Sequence, residues 1–370
     1  MGLLHAPCKW SGTWKACPPV LNSLHRIWNK PEEIDMLTVV CETPGTLRAH
    51  DTPKPERAEG DVLLRVKRVG VCGTDLHIFT GNQPYLNYPR VMGHELSGIV
   101  EEAPEGGSLQ AGDTVYVMPY LSCGTCIACR AGKTNCCTRI QVLGVHRDGA
   151  FTEYLSVPQQ FVHKANGVTL DQAAMVEFLA IGAHAVRRAQ VQKGQRVLVV
   201  GAGPIGMAAM IFTKLRGAVV TALDSRQDRL NFCTSALGVS AGVTLGDSDE
   251  AELATLTNQE FFDVVFDATG NPKAMERGFK FVAHGGTYTL ISVVASNITF
   301  SDPEFHKREM TLMGSRNATT EDFQTVLEAM RAGLIPTALN THRMPLADVP
   351  EKFKDLLNPA AGVIKAIVEC

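Results

Sequence analysis

The chain has 370 residues, 45% of them hydrophobic and 20% charged, with a formal net charge of -3. That length allows two domains with separate cores, and the composition excludes a disordered chain. The charge balance calls for neither nucleic acid nor an anionic membrane as partner. No apolar run reaches spanning length and no secretory signal opens the chain, so a cytoplasmic protein is expected.

Residues 1–35 differ from the rest. Trp10, Trp14 and Trp28 all fall there with Cys8, Cys17 and the Pro18-Pro19 pair, and no amphipathic period is visible. The segment reads as a tail ahead of Met36, and its His5, Cys8, Cys17 and His25 match no zinc spacing. From Met36 the texture turns β-like. Runs at 37–41, 61–71, 96–101, 113–118, 151–157 and 161–164 are rich in β-branched residues, with Pro44, Pro53 and Pro55 marking loops. A mostly β, barrel-like domain over 36–180 follows, and a terminal helix at 321–332 and strand at 362–368 are expected to return to it, so that 319–370 complete it.

Within this domain Cys72 and His94 offer a thiolate and an imidazole on either side of a loop. Such a pair is half of a zinc site with an open position; alone, it better suits a small buried cysteine and a hydrogen-bonded core histidine. Eleven cysteines in a chain of this size, closely clustered, favour metal over disulfides. Cys123, Cys126, Cys129 and Cys137 follow a C-x2-C-x2-C-x7-C spacing whose short turns let four thiolates converge on one ion. Four cysteines leave no open position, so this zinc is structural; Cys136 is the adjacent spare. The apolar helical pattern over 170–186 contains Glu177, a carboxylate that must be paired, neutral or bound to a cation, and it is the natural third ligand for Cys72 and His94.

A strand at 197–200 then runs into Gly201, Gly203 and Gly206, a helix carries to about Arg216, and a strand at 219–223 ends in Asp224. Strand, glycine turn, helix and acid in that order form a dinucleotide fingerprint: Gly201 for the tight turn, Gly203 for approach to the pyrophosphate, Gly206 for helix packing. Asp224 favours NAD over NADP, although Arg226 beside it is a residue able to accommodate a 2′-phosphate. Further strands at 262–267, 286–291 and 310–313 complete a doubly wound parallel sheet over 181–318, with the DATGN run, Thr269 included, at a strand's carboxyl end.

These motifs together resemble the zinc-containing medium-chain alcohol and polyol dehydrogenases over nearly all the chain after Met36. The resemblance implies an α/β protein with a GroES-like β-barrel catalytic domain and a Rossmann domain, two zinc ions and NAD. It implies cofactor contacts at Pro204, Ile205, Arg229 and Thr269 besides the glycines and Asp224. Within the family, the stretches 81–95, 130–158 and 300–323 are similar to the L-galactonate 5-dehydrogenase group, which implies oxidation of a secondary alcohol on an aldonate. Thr74 would accept the departing proton and His77 pass it to solvent. Asp75 would fix the His94 ring, and Glu95 would sit behind the metal or replace Glu177. A sugar acid needs a cation for its carboxylate, and Arg316 aligns with a substrate-facing arginine of polyol dehydrogenases. One departure stands: proline commonly follows the glutamate ligand, and this chain has Phe178. Competing readings are a neutral-polyol or L-threonine dehydrogenase and a catalytically silent NAD-binding protein. A homo-oligomer, dimer or tetramer, is expected on the family's habit.

Overall fold

The computed structural model describes residues 35–83 and 86–370; the tail through residue 34, with the His5, Cys8, Cys17 and His25 set, lies outside the described residues. The first sheet grows around one long strand, Asp61–Val71, which buries Val62, Leu64, Val66 and Val69. Glu95–Glu102 pairs with it antiparallel along one edge. Along the other edge lie Tyr154–Pro158 near its start and Lys365–Glu369 near its end. The C-terminal strand thus belongs to this first sheet, with Asn340–Pro345 parallel beside it. The pairing of Gly70 with Glu95 sets the register, and it brings Cys72 and His94, each just beyond its strand, to the same end of the sheet.

A three-stranded sheet of Thr46–Pro53, Asp35–Thr43 and Arg90–Val91 covers this core. Thr46–Pro53 corrects the reading of Pro53 as a loop marker. Pro53 is the last residue of an edge strand, opposite Asp35, where a missing N–H breaks no ladder.

The second sheet has six parallel strands in the spatial order Ala241–Thr244, Val219–Asp224, Arg196–Val200, Phe262–Asp267, Val282–Leu290 and Thr311–Gly314. Strand order reverses between Arg196–Val200 and Phe262–Asp267, the switch point at which doubly wound sheets bind ligands. Ala241–Thr244 lies outside the expected runs, because AGVT is too short and too Gly/Ala-rich to register as one. Among the described residues no helix is long and apolar enough to cross a membrane.

The helix expected over 170–186 is two helices. Leu170–Ala174, opened by a Thr169/Gln172 capping box, ends at Met175, and Val176–Arg188 begins at once. The break places Glu177 in the first turn of a new helix, where unpaired N–H groups favour a carboxylate. Val176–Arg188 is buried over most of its length and packs against Pro204–Leu215, the helix that follows the glycine turn. The closest approach is at Gly182, where a Cβ would lie 2.5 Å from the Ala208 backbone and side chain. With no side chain to yield at either backbone, we expect Gly182→Val to lower stability by at least about 1–3 kcal/mol, read as a fall in thermal midpoint.

Candidate active site

Cys72 is the N-cap of the short helix Gly73–Phe79, and Asp75 closes its first turn. One Asp75 oxygen accepts the Cys72 N–H at 2.9 Å and the other accepts the Gly93 N–H at 3.1 Å. This fully buried carboxylate therefore pins the backbones that carry Cys72 and His94. It does not hold the His94 ring as expected: His94 Nδ1 is 3.9 Å away, too long for a hydrogen bond. The backbone donors have already claimed both oxygens.

The sulfur of Cys72, an imidazole nitrogen of His94 and a carboxylate oxygen of Glu95 lie within 4.8 Å of one another. Glu95 is fully buried and ion-paired with Lys365, itself 1% exposed, whose Nζ also lies 4.5 Å from the Phe178 ring centre. Phe178, in place of the family's proline, thus backs the lysine that answers Glu95. Glu177 approaches from its helix, 3% exposed; its Oε1 accepts the Tyr120 hydroxyl and its Oε2 has no partner. His94 Nδ1 is likewise buried without a partner.

The electrostatics are those of an uncompensated negative pocket. Burial, with Glu95 nearby, pushes the Glu177 carboxyl up to about 7 against the opposing pull of His94. Burial would lower the His94 pKa, but Cys72, Asp75 and Glu177 raise it well above the usual histidine value. Lys365 behaves alike: burial works against its charge, and Glu95 and Cys72 outweigh it. Thiol, imidazole and carboxylate donors, with orphaned buried lone pairs, fit a borderline divalent cation such as zinc.

In the second group, Cys123, Cys126, Cys129 and Cys137 also lie within 4.8 Å of one another, while Cys136 is exposed and outside it. Backbone N–H groups of Cys123 and Arg139 point at Cys137 Sγ at 3.3 and 3.4 Å, and Arg139 Nη2 reaches Cys123 Sγ at 3.4 Å. The Thr125 N–H and then Arg139 pull Cys123 down to about 5, and the Cys129 and Thr138 N–H groups pull Cys126 to about 6, while burial pushes Cys129 up to about 11.

At the glycine turn, Gly201 has φ +97°, and a Cβ on Gly206 would overlap the Gly201 carbonyl oxygen. Gly203 caps the helix that Pro204 and Ile205 begin. Asp224 holds the turn, accepting the Ala202 N–H at 2.6 Å and the Arg226 N–H at 2.8 Å. The Arg226 guanidinium is engaged by Asp228, and Arg229 reaches the Ala202 carbonyl at 3.3 Å. Thr269 donates to Asp267 at the end of Phe262–Asp267. Thr74 is half-buried and His77 exposed on the Gly73–Phe79 helix.

Arg316 is exposed just past the edge strand Thr311–Gly314. Burial and then the charges of Arg316 and Arg90 lower the His146 pKa, so this residue of the 143–150 loop is uncharged at neutral pH. That loop packs on the Gly93 backbone through Gly144 and Gly149. Lys365, Tyr120, His146 and His184 escaped sequence reasoning: each stands alone among residues that carry no motif.

His184, two turns after Glu177 on the same helix, is buried and lies 2.8 Å through Nδ1 from Asp322. Asp322, 1% exposed in the first turn of Thr320–Arg331, also accepts Arg187 Nε at 2.7 Å and the Thr319 N–H at 2.9 Å.

Two family models match the chain: an alcohol dehydrogenase GroES-like domain over residues 58–167 and a zinc-binding dehydrogenase domain over 204–332. L-galactonate-5-dehydrogenase of Escherichia coli K12 is 42% identical over 326 residues, 87% of this chain and 96% of its own. An L-threonine 3-dehydrogenase of Bacillus velezensis is 32% identical over 316 residues, 82% and 90% of the two chains. The fold is similar to that of an alcohol dehydrogenase of Escherichia coli CFT073 complexed with NADH, with TM-score 0.85 and 28% identity over 91% of this chain and 99% of that one.

Burial opposes the Asp322 charge, but His184 and Arg187 overcome it and hold the carboxyl well below the usual aspartate range. A depressed folded pKa contributes stability above the unfolded value of about 3.9, and that contribution is lost as pH falls through the folded value. We expect Asp322→Asn to cost about 1–3 kcal/mol at pH 7 by taking a partner from buried His184 and from Arg187, which keeps Glu321 at 3.1 Å, and the gap from wild type to narrow below about pH 4. Urea unfolding of both proteins across that range reads it.

Proposed function

This chain belongs to the zinc-binding dehydrogenases with a GroES-like alcohol dehydrogenase domain, and we propose that it oxidises a secondary alcohol of a sugar acid of the L-galactonate class with NAD. The observation that carries this reading is the 42% identity to L-galactonate-5-dehydrogenase across nearly all of both chains. The charge of exposed Arg316, near the 143–150 loop that packs on the Gly93 backbone, supports an acid substrate.

Cys72, His94 and Glu177 would hold the catalytic zinc; the ligand atoms already within 4.8 Å of one another are those of Cys72, His94 and Glu95, so Glu95, ion-paired with Lys365, is the carboxylate at hand and Glu177 would have to close in. Cys123, Cys126, Cys129 and Cys137 would hold the structural one. When bound, zinc supplies Lewis acidity to the substrate hydroxyl, and NAD accepts the hydride. The protein's own groups do the rest. The Thr74 hydroxyl takes the hydroxyl proton, and exposed His77 hands it to solvent. Asp75 keeps the Cys72 and Gly93 backbones in place, and Tyr120 fixes one Glu177 oxygen so that the other is free to ligate. Asp224 faces the adenosine ribose, and Arg226, the arginine next to it, is engaged by Asp228, which favours NAD. Arg316 anchors the substrate carboxylate.

The same proposal places the division between a catalytic part, 36–180 with 319–370, and an NAD-binding part, 181–318. It also includes a homo-oligomer, dimer or tetramer, in the cytoplasm. A second reading, favoured by the similarity to L-threonine 3-dehydrogenase, is an amino-alcohol or neutral-polyol substrate on the same machinery.

We expect the zinc-loaded protein to form NADH faster from L-galactonate than from L-gulonate, sorbitol or L-threonine, and Arg316→Ala to raise KM for the acid while sparing neutral alcohols. Faster turnover of sorbitol or L-threonine would replace the sugar-acid assignment with the second reading. Tyr120→Phe should release the catalytic zinc to a chelator about 10–100-fold more readily, followed with a colorimetric zinc indicator. An unchanged release rate would remove Tyr120 from the metal's support.

A further inference from the structure

Asn135 lies in the single turn Thr134–Cys136, directly before the Cys136-Cys137 pair, and is 4% exposed. Its Nδ2 donates to the Arg316 carbonyl at 2.8 Å and lies 3.2 Å from His184 Nε2. Its own backbone carbonyl accepts from Asn317 Nδ2 at 3.4 Å. Donor counting orients the group. A carbonyl can only accept, so the amide nitrogen and not its oxygen must face Arg316. The second Nδ2 hydrogen then goes to His184 Nε2, which leaves Nδ1–H to donate to Asp322. Asn135, His184 and Asp322 are all buried, so no water substitutes readily for a lost partner.

Three parts of the molecule meet through this amide. One is the four-cysteine lobe, another the helix of Glu177, and the third the segment carrying Arg316. That segment has few other holds: Ser315 N–H donates to the Leu290 carbonyl at 2.8 Å and exposed Arg188 Nε to the Gly314 carbonyl at 2.7 Å. Its strand, Thr311–Gly314, is a sheet edge.

We propose that Asn135 is a positioning residue that ties the Arg316 segment and the Glu177 helix to the four-cysteine lobe, so that the closure of the lobe sets where Arg316 stands. Its effect on substrate rests on the reading of Arg316 as carboxylate anchor; the tie itself does not.

The test is amide hydrogen exchange of the full-length, zinc-loaded protein with Asn135→Asp, which keeps the size of the side chain and removes both donors. In protein retaining its zinc, exchange over residues 314–319 should quicken about tenfold or more, while residues 219–235 of the far strand and helix keep their wild-type rates. KM for L-galactonate should rise with kcat little changed, and Asn135→His, which restores a donor, should recover part of the loss. Wild-type exchange over 314–319 overturns the proposal. Faster exchange with an unchanged KM in both Asn135→Asp and Arg316→Ala upholds the tie and removes Arg316 from the carboxylate. Should Asn135→Asp fail to fold, His184→Gln reads the same exchange, with the same two outcomes.

Discussion

Asp75, Glu95 and Glu177 are almost fully buried around Cys72 and His94, and charges removed from water must be answered within the protein. Backbone N–H groups answer Asp75, Lys365 answers Glu95, and Tyr120 answers one oxygen of Glu177. What stays unanswered is the second Glu177 oxygen, Glu95 Oε1 and His94 Nδ1, beside the Cys72 sulfur. The remaining architecture holds these groups at one place while denying them water.

The helix Val176–Arg188 is where that burden concentrates. Its first turn presents Glu177 and Phe178, its middle meets the cofactor-side helix at Gly182, and its last turns engage Asp322 through His184 and Arg187. A displacement of this one helix would shift Glu177, the packing of the dinucleotide turn and the helix Thr320–Arg331 together. Packed interiors pass such displacements on instead of absorbing them.

The two cysteine-bearing groups divide the chemistry by closure. Four cysteines among turn-forming residues, with N–H donors aimed at the Cys137 sulfur, are brought together by local turns, and the energy of a metal held there would be folding energy. The Cys72 group instead mixes donor types and draws them from separate elements, so its geometry belongs to the tertiary fold.

Wherever the chemistry was local, the sequence was enough to read it. The cysteine spacing picked Cys137 over Cys136, the glycine turn with Asp224 marked the dinucleotide half, and the strand at 61–71 was legible to the residue from its β-branched run. A carboxylate inside an apolar helix announced that Glu177 needed a partner. What the sequence left open depends on long-range placement. Lys365 lies 270 residues after Glu95 and meets it only because the last strand pairs with Asp61–Val71. Asp75 could be seen near His94 but not that backbone donors would occupy both its oxygens. The break at Met175 and the strand Thr46–Pro53 likewise escaped, because propensity is weak at both and packing decides. Spacing along a chain fixes what neighbouring residues can ligate; only the folded register determines which distant charges are buried together.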